Sequence, residues 1–257
     1  MVLPGPRKEM QFFSQGEDKV AHGFDAYLSE FPLGRSGEST LLTWPELNAQ
    51  GILYHEGLSF ERQAGERYIT GEASADTFCD VAPELLNSYL PELRLLLLLR
   101  DPVERAFSHH RMFARFQDEG RELGFKVGDF ASDMRLEMRA IERGEITPCL
   151  SPGLYAQRLS KWIDVWGEKS ILVVFSEQLA IPEQCQQTMK RVLAHLGLPQ
   201  HNYGASLANR YNQAPRLPIP NNIAAELREF YRPDEFSLRT LLTQDLPWLA
   251  ISADKEP

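Results

Sequence analysis

A chain of 257 residues, 43% of them hydrophobic, can bury one sizeable core, so we expect a single domain over residues 1–257. Its 27 Lys and Arg residues against 36 Asp and Glu give a formal net charge of −9, which disfavours a general nucleic-acid binder and a protein held to anionic membranes by bulk charge. No apolar run reaches the roughly 20 residues that a membrane-spanning helix needs, and we expect no membrane segment in these residues.

The first third of the chain predicts short helices and strands on both sides of a long polar stretch. Aromatic and leucine residues in Phe24–Phe31 have the spacing of a short amphipathic helix. Residues 34–67 are polar and dotted with glycine, and we interpret them as a surface insertion with short strands or a helical turn. Tyr68–Glu72 predicts a strand, and Val81–Tyr89 predicts a helix that leads into the next strand.

An unbroken apolar run that stops at charge and proline is the most informative local pattern. Leu95–Leu99 are five consecutive leucines, which predicts a strand covered on both faces, as in a parallel α/β sheet. Arg100 follows at the carboxyl end, where such sheets usually bind ligands, and a helix is predicted over Arg105–Gln117. This helix would bring the Ser108 hydroxyl back toward Arg100, and the two groups could converge on one anion such as a phosphate. The alternative is that the charges here only solvate the end of a strand.

Helices and one further core strand are predicted for the remainder of the chain, without an internal repeat or a linker between domains. Apolar residues at helical spacing predict helices, and a β-branched apolar run predicts the strand. The predicted helices are Phe130–Gly144, Leu154–Trp166, Met189–Leu196 and Ile223–Tyr231, and the predicted strand is Ile171–Phe175.

Neither the histidines nor the cysteines form a metal-binding pattern. His109 and His110 are adjacent in a predicted helix, where neighbouring side chains diverge by about 100° and cannot both face one ion. Cys79, Cys149 and Cys185 are far apart and odd in number, which favours buried free thiols over a disulfide framework. We therefore expect no metal site.

Several segments, in order along the chain, resemble those of sulfotransferases that use 3′-phosphoadenosine 5′-phosphosulfate (PAPS), in particular the carbohydrate, heparan-sulfate-like branch and its bacterial relatives. Arg100–Ser108 is similar to the segment that binds the 3′-phosphate in that family. The other matching segments are Lys8–Phe13, Gly23–Phe31, Glu72–Phe78, Gly153–Tyr155 with Leu159 and Trp162, Ile171–Phe175, and Glu177–Leu179. The resemblance implies an α/β fold, a P-loop-NTPase-like three-layer sandwich with a central, mostly parallel sheet, and transfer of a sulfuryl group from PAPS.

The resemblance implies cofactor-binding roles for five residues. Arg100 and Ser108 match the strand-end arginine and the helix serine that hold the 3′-phosphate, and Tyr155 falls in the family's later Ser-x-Tyr helix. Arg210 and Arg216 lie in a loop-like segment whose counterpart in relatives can fold over the nucleotide and supply a base to the 3′-phosphate. The alternative for these two arginines is that they are solvated loop charges.

Catalytic and acceptor-binding roles implied by the resemblance fall mainly near the N-terminus. Lys8–Phe13 looks like the Lys-Glu-x-His-Phe-Phe segment that carries the catalytic base, so Glu9 would take the acceptor proton with Lys8 beside it. Gln11 and Glu72 would bind the acceptor, a carbohydrate or a small hydroxylated metabolite. The alternative for Glu9 is an exposed charge on a frayed terminus.

Three positions or segments depart from the family pattern. These residues hold no Gly-rich loop with Lys and Thr or Ser, the element that cradles the 5′-phosphosulfate, and we interpret the fold as N-terminally incomplete. Gln11 stands where the heparan-type enzymes have histidine, and Ala73 stands where relatives often have a lysine near the acceptor. The expected activity of the given chain is therefore little or none.

Three hypotheses for the function follow. The first is a PAPS-dependent sulfotransferase, and the second is a non-catalytic relative that keeps the fold as a binding or scaffolding protein. The third is a lookalike of P-loop nucleotide kinases. The given residues predict a cytoplasmic location, with the Golgi lumen as the alternative if a preceding segment carries a signal anchor.

Overall fold

The computed structural model describes residues 2–4, 9–29, 31, 40–43, 59–62, 69–204 and 217–249. They fall into two compact units, one within Met1–Tyr89 and one within Leu90–Pro257. The expectation of a single domain stays a prediction.

The first unit combines short strands with helices. Strand β1 pairs in parallel with β4, and β2 pairs with β3 in an antiparallel ladder inside the predicted insertion at residues 34–67. The rest of that insertion lies outside the described residues. The elements are β1 (Val2–Pro4), α1 (Glu17–Ser29), β2 (Thr40–Thr43), β3 (Ser59–Arg62), β4 (Ile69–Gly71), α2 (Thr77–Asp80) and α3 (Pro83–Tyr89).

Aromatic side chains form the core of the first unit. Phe12 stacks on Tyr27 of α1 with ring centroids 4.4 Å apart, and the buried Phe13 meets Tyr27 and Tyr89 edge to face at 5.5 and 6.3 Å. Such pairs contribute attraction beyond the burial of their area. They hold the segment before α1 against this helix. Helix α1 itself begins at Glu17, earlier than the predicted start at Phe24, with acidic residues in its first turn, where the helix dipole favours them.

The second unit contains a parallel strand pair and the longest helices. Strands β5 and β6 pair in register from Leu95 opposite Ile171 to Leu99 opposite Phe175, so both strands lie where the sequence predicts them. The elements are β5 (Leu95–Leu99), α4 (Pro102–Asp118), α5 (Phe130–Glu142), α6 (Tyr155–Trp166), β6 (Ile171–Phe175), α7 (Ser176–Leu179), α8 (Pro182–His195) and α9 (Asn221–Leu242).

Helices α4, α5 and α9 share the main hydrophobic core of this unit. The buried cluster consists of Val103, Ala106, Phe130, Met134, Cys149, Leu150, Ile223, Leu227 and Tyr231. The spacing of the α9 members, four residues apart, places them on one face of that helix. This apolar face continues to Leu238, and α9 therefore runs through Pro233 instead of ending at Tyr231 as the sequence predicts.

The prediction that β5 is covered on both faces is wrong for two of its leucines. Leu96 is 47% exposed and Leu98 is 57% exposed, whereas Leu99 is buried. Successive side chains of a strand point to opposite faces, so Leu96 and Leu98 share one face. That face of β5 is therefore partly open.

Candidate functional site

Arg100 lies at the carboxyl end of β5, as the sequence predicts. Its side chain is 42% exposed, and Nη2 lies 3.4 Å from Oε2 of Glu104, which is also half exposed. This is a long, solvent-screened ion pair of the kind that contributes little to stability. Because a guanidinium carries five N–H donors, most of the binding capacity of Arg100 remains for another anion.

Ser108 lies on the same side of α4 as the Arg100–Glu104 pair. Residues 104 and 108 are four apart in the helix, and such residues are neighbours on its surface. Ser108 is exposed. The structure thus places the two predicted phosphate-binding side chains along one accessible face at the start of α4.

The sequence also allowed Asp101 to be an exposed charge that only solvates the end of the strand, and the structure shows that it is not. It is 6% exposed and caps α4, because its Oδ1 accepts from the backbone N–H groups of Val103 and Glu104 at 2.9 and 3.3 Å. The Asp-Pro pair, a cap residue followed by proline in the first helical position, is the sequence signal for this role.

Arg228 of α9 is the residue of this region that sequence reasoning missed. Its guanidinium donates two hydrogen bonds to the Asp101 carboxylate, at 2.8 and 2.5 Å. Burial lowers the pKa of Arg228, but the hydrogen bond and charge of Asp101 outweigh it and leave the pKa above its ordinary value. The two residues are 127 positions apart, and no local pattern links them.

Tyr155 is buried, with 4% of its surface exposed. Its hydroxyl donates to the carbonyl oxygen of Arg100 at 3.0 Å, while its backbone N–H donates to Oδ2 of Asp234 at 2.8 Å. Tyr155 therefore touches the backbone of the candidate site. Its predicted cofactor contact stays a prediction, and Lys8, Arg210 and Arg216 lie outside the described residues.

In the first unit, the segment that carries Glu9 has an unusual backbone. Glu9 and Gln11 have φ angles of 59° and 51°, in the left-handed region that residues other than glycine seldom adopt. The N–H of Gln11 donates to Oγ of Ser74 at 3.0 Å, which ties the segment to the loop after β4. Glu9 is half-buried and Gln11 is exposed. Strained residues of this kind are common at functional sites.

Glu72 lies in that same loop and is half-buried. Burial raises the pKa of its carboxyl, against the effect of hydrogen bonds from the Ser74 side chain and the Met10 backbone, and the nearby Asp76 raises it further. One carboxylate oxygen of Glu72, Oε2, is buried and has no hydrogen-bond partner. A partly buried acid with a raised pKa is a common feature of functional sites.

The two adjacent histidines have separate environments, as their helical spacing predicts. Nε2 of His110 lies 2.8 Å from Oδ2 of Asp133, whereas His109 stacks on Phe113 with ring centroids 4.4 Å apart. Burial and the charge of Arg105 lower the pKa of His109 to about 4. Among the described residues, no group of three His, Cys, Asp or Glu side chains could hold a metal ion.

Known sulfotransferases are similar to this chain in both sequence and fold. Human carbohydrate sulfotransferase 15 is 27% identical over 235 residues, which cover 74% of this chain and 41% of that protein. Human bifunctional heparan sulfate N-deacetylase/N-sulfotransferase 3 is 25% identical over 210 residues, which cover 79% of this chain and 20% of that protein. The chain is similar in sequence to known sulfotransferases. It spans less than half the length of these two curated relatives.

The sulfotransferase fold is also found in the structural comparison. The crystal structure of a sulfotransferase from Alicyclobacillus acidocaldarius matches 95% of this chain and 87% of its own, with a TM-score of 0.61 and 23% identity. This match confirms the predicted α/β fold class. No protein-family model matches the chain.

No helix in the described ranges is both long and apolar enough to cross a bilayer.

Proposed function

We propose that this chain is a PAPS-dependent sulfotransferase that transfers a sulfuryl group to a hydroxyl or amine of a carbohydrate or small metabolite. The names of its curated relatives support sulfuryl transfer, and they support a carbohydrate acceptor in particular. The observation that carries the proposal is the accessible Arg100 guanidinium at the carboxyl end of β5, on the same side of α4 as Ser108.

The residues at this point fit the 3′-phosphate of the nucleotide. A phosphate accepts bidentate hydrogen bonds from a guanidinium, and a serine hydroxyl adds a further donor. Arg100 has donors that the 3.4 Å contact with Glu104 does not use, and Ser108 is exposed. Bound PAPS would supply the sulfuryl group, while Arg100 and Ser108 would hold its 3′-phosphate.

Besides nucleotide binding, the reaction requires a group that takes the proton of the acceptor and groups that bind the acceptor, and residues of the first unit suit these roles. We assign the acceptor proton to Glu9, with Lys8 beside it, and acceptor binding to Gln11 and Glu72. The strained backbone at Glu9 and the raised pKa of the Glu72 carboxyl are the features that support these roles.

Nucleotide binding tests the phosphate assignment. We expect 3′-phosphoadenosine 5′-phosphate (PAP) to raise the melting temperature more than adenosine 5′-monophosphate (AMP), because only PAP carries the 3′-phosphate. A ligand at 100 times its dissociation constant adds about 2.7 kcal/mol of stability. Arg100→Ala should remove most of the difference between PAP and AMP, since charge-assisted hydrogen bonds contribute about 1.5–3 kcal/mol.

The matched control is Arg232→Ala, which removes an exposed arginine of α9 that pairs with Glu229. This variant should keep the full preference for PAP. Equal melting shifts with both nucleotides in the unmodified chain would overturn the proposed function. A preserved preference in folded Arg100→Ala would leave Arg100 with a structural role only.

A second candidate is a non-catalytic relative that binds the nucleotide or a partner. A relative that keeps the 3′-phosphate site without catalysis also predicts PAP binding, so a transfer assay with labelled PAPS is needed to separate the two candidates. PAP binding without transfer to any carbohydrate or small acceptor would favour the second candidate.

A further inference from the structure

Side chains from two different elements hold the peptide group that joins Arg100 to Asp101. Its carbonyl oxygen accepts a hydrogen bond from the Tyr155 hydroxyl at 3.0 Å. Its N–H donates to Oε1 of Glu177, also at 3.0 Å. Both polar groups of one peptide are thus bound by side chains, at the point where β5 ends and α4 begins.

The two side chains that hold this peptide are themselves fixed. Tyr155 is buried in the first turn of α6, where Asp234 accepts from its backbone N–H at 2.8 Å. Glu177 belongs to α7, which begins directly after β6, the strand that pairs with β5. The peptide is therefore held from two neighbouring elements of the same unit.

Fixing a peptide plane at both its oxygen and its N–H restricts the backbone beside it, and so the direction in which the neighbouring Cα–Cβ bond leaves the backbone. A peptide is planar, and the only soft rotations beside it are ψ of Arg100 and φ of Asp101. Among the described residues, the Arg100 guanidinium contacts only Glu104, at 3.4 Å. The held backbone therefore sets the point and direction from which the flexible Arg100 side chain reaches a ligand.

We propose that Tyr155 and Glu177 are positioning residues, which hold the Arg100–Asp101 peptide so that the Arg100 guanidinium points at the 3′-phosphate. This inference rests on the proposed function. It gives Tyr155 a different role from direct nucleotide contact, because its hydroxyl is already bonded to the Arg100 carbonyl. Tyr155 then acts on the nucleotide through Arg100.

A buried tyrosine elsewhere in the unit provides a matched control. The Tyr231 hydroxyl donates to the carbonyl oxygen of Leu150 at 2.9 Å, and this residue is fully buried. Tyr155→Phe and Tyr231→Phe each delete one buried hydroxyl and the hydrogen bond that it donates to a carbonyl, although the Leu150 carbonyl keeps a second donor, the Gly153 N–H at 2.9 Å. A purely structural role predicts that both variants lose stability and that neither changes nucleotide preference.

The experiment measures dissociation constants for PAP and AMP together with melting temperatures. We expect Tyr155→Phe to reduce the preference for PAP over AMP by about fivefold, the equivalent of one ordinary hydrogen bond. Tyr231→Phe should keep the preference. Equal preference in the two folded variants would overturn the positioning role.

Glu177 gives an independent test with a conservative rescue. Glu177→Ala removes the acceptor of the Asp101 N–H and should reduce the PAP preference, whereas Glu177→Gln keeps an oxygen at that position and should restore most of it. An equal loss in both variants would show that the charge of Glu177 matters and not its hydrogen bond to the peptide, which would overturn the proposal for this residue.

Hydrogen exchange separates failure of this inference from failure of the proposed function. The Asp101 amide should exchange slowly in the unmodified chain, faster in Glu177→Ala and Tyr155→Phe, and slowly in Tyr231→Phe. If the unmodified chain shows no preference for PAP, the proposed function is overturned, together with the role of Tyr155 and Glu177 in nucleotide binding. The exchange rates of the Asp101 amide then decide whether these two residues fix the peptide. A PAP preference that persists while Asp101 exchange accelerates overturns only the positioning role.

Discussion

Burial decides the chemistry of Glu72 at the scale of single residues. Its sequence context, a strand end followed by small polar residues, is compatible with a solvated carboxylate. The structure instead buries one of its oxygens without a partner and raises the pKa of the carboxyl. Tyr27 is also buried, and its own burial, together with the smaller effect of the Glu72 charge, raises the pKa of its hydroxyl. Ionisation of Glu72 is therefore less favourable in the folded state than in the unfolded state.

The pH dependence of stability should report this directly. A carboxyl whose folded pKa is raised binds more protons in the folded than in the unfolded state, so its contribution to stability falls as pH rises from its ordinary pKa through the raised value. Glu72→Gln removes this loss. We expect the stability of Glu72→Gln relative to the unmodified chain to increase as pH rises above the ordinary pKa of a glutamate, measured by urea unfolding.

Glu226→Gln is the control with the opposite sign. The hydrogen bond from Arg135 lowers the pKa of Glu226, so its contribution to stability is present above its ordinary pKa and lost as pH falls. The relative stability of Glu226→Gln should therefore decrease as pH rises. A pH-independent difference for Glu72→Gln would contradict the raised pKa.

At the scale of elements, one carboxylate joins β5, α4 and α9. Asp101 follows the Arg100 residue at the end of β5, caps α4 through its side chain and accepts two hydrogen bonds from Arg228 of α9. A bidentate pair with one buried partner leaves a poorly solvated charge when either side chain is removed. The ion pair should therefore be important for the packing of α9 beside the candidate site.

A double-mutant cycle measures this pair. We expect Asp101→Ala to destabilise the chain by about 3–5 kcal/mol, part of which is the lost cap, and the cycle with Arg228→Ala to isolate the coupling between the two side chains. The bidentate pair of Arg135 and Glu226 also joins α9 to another helix, but both of its side chains are exposed. Its coupling should be much smaller, and equal couplings in the two cycles would contradict the importance of burial.

At the scale of the whole molecule, the residues proposed for binding and catalysis come from both compact units. Glu9, Gln11 and Glu72 belong to the first unit, whereas Arg100 and Ser108 belong to the second. Each unit has its own core, aromatic in the first and aliphatic with aromatic members in the second. Nucleotide binding thus tests the second unit, and sulfuryl transfer tests the complete chain.

Substitution of the proposed base is the test of catalysis in the complete chain. In a preparation that shows transfer from PAPS, Glu9→Gln should lower kcat by roughly 10²–10⁴ with little change in PAP affinity, because Gln keeps the size of the side chain and removes the proton acceptor. The control is Glu17→Gln, which changes an exposed glutamate in the first turn of α1. A normal kcat in Glu9→Gln would exclude Glu9 as the base.

The sequence by itself determined the features that depend on near neighbours. The leucine run followed by Arg-Asp-Pro predicts a strand, a polar end and a helix, and β5 and α4 lie there. The β-branched run of β6 and the helical spacing of α5 and α6 are confirmed for the same reason. The order of family-like segments was sufficient to predict the α/β fold that the comparison confirms.

Only the tertiary structure decided which polar groups face one another. The partner of Asp101 is 127 positions away, and the hydroxyl on the Arg100 carbonyl comes from 55 positions away. The Glu72 carboxyl accepts a hydrogen bond from the Met10 backbone, in the N-terminal segment. The start of α8 at Pro182 and the exposure of Leu96 and Leu98 were also not predicted. Periodicity and capping are local properties of the chain, whereas ion pairing, burial and pKa depend on which distant elements fill the space around a residue.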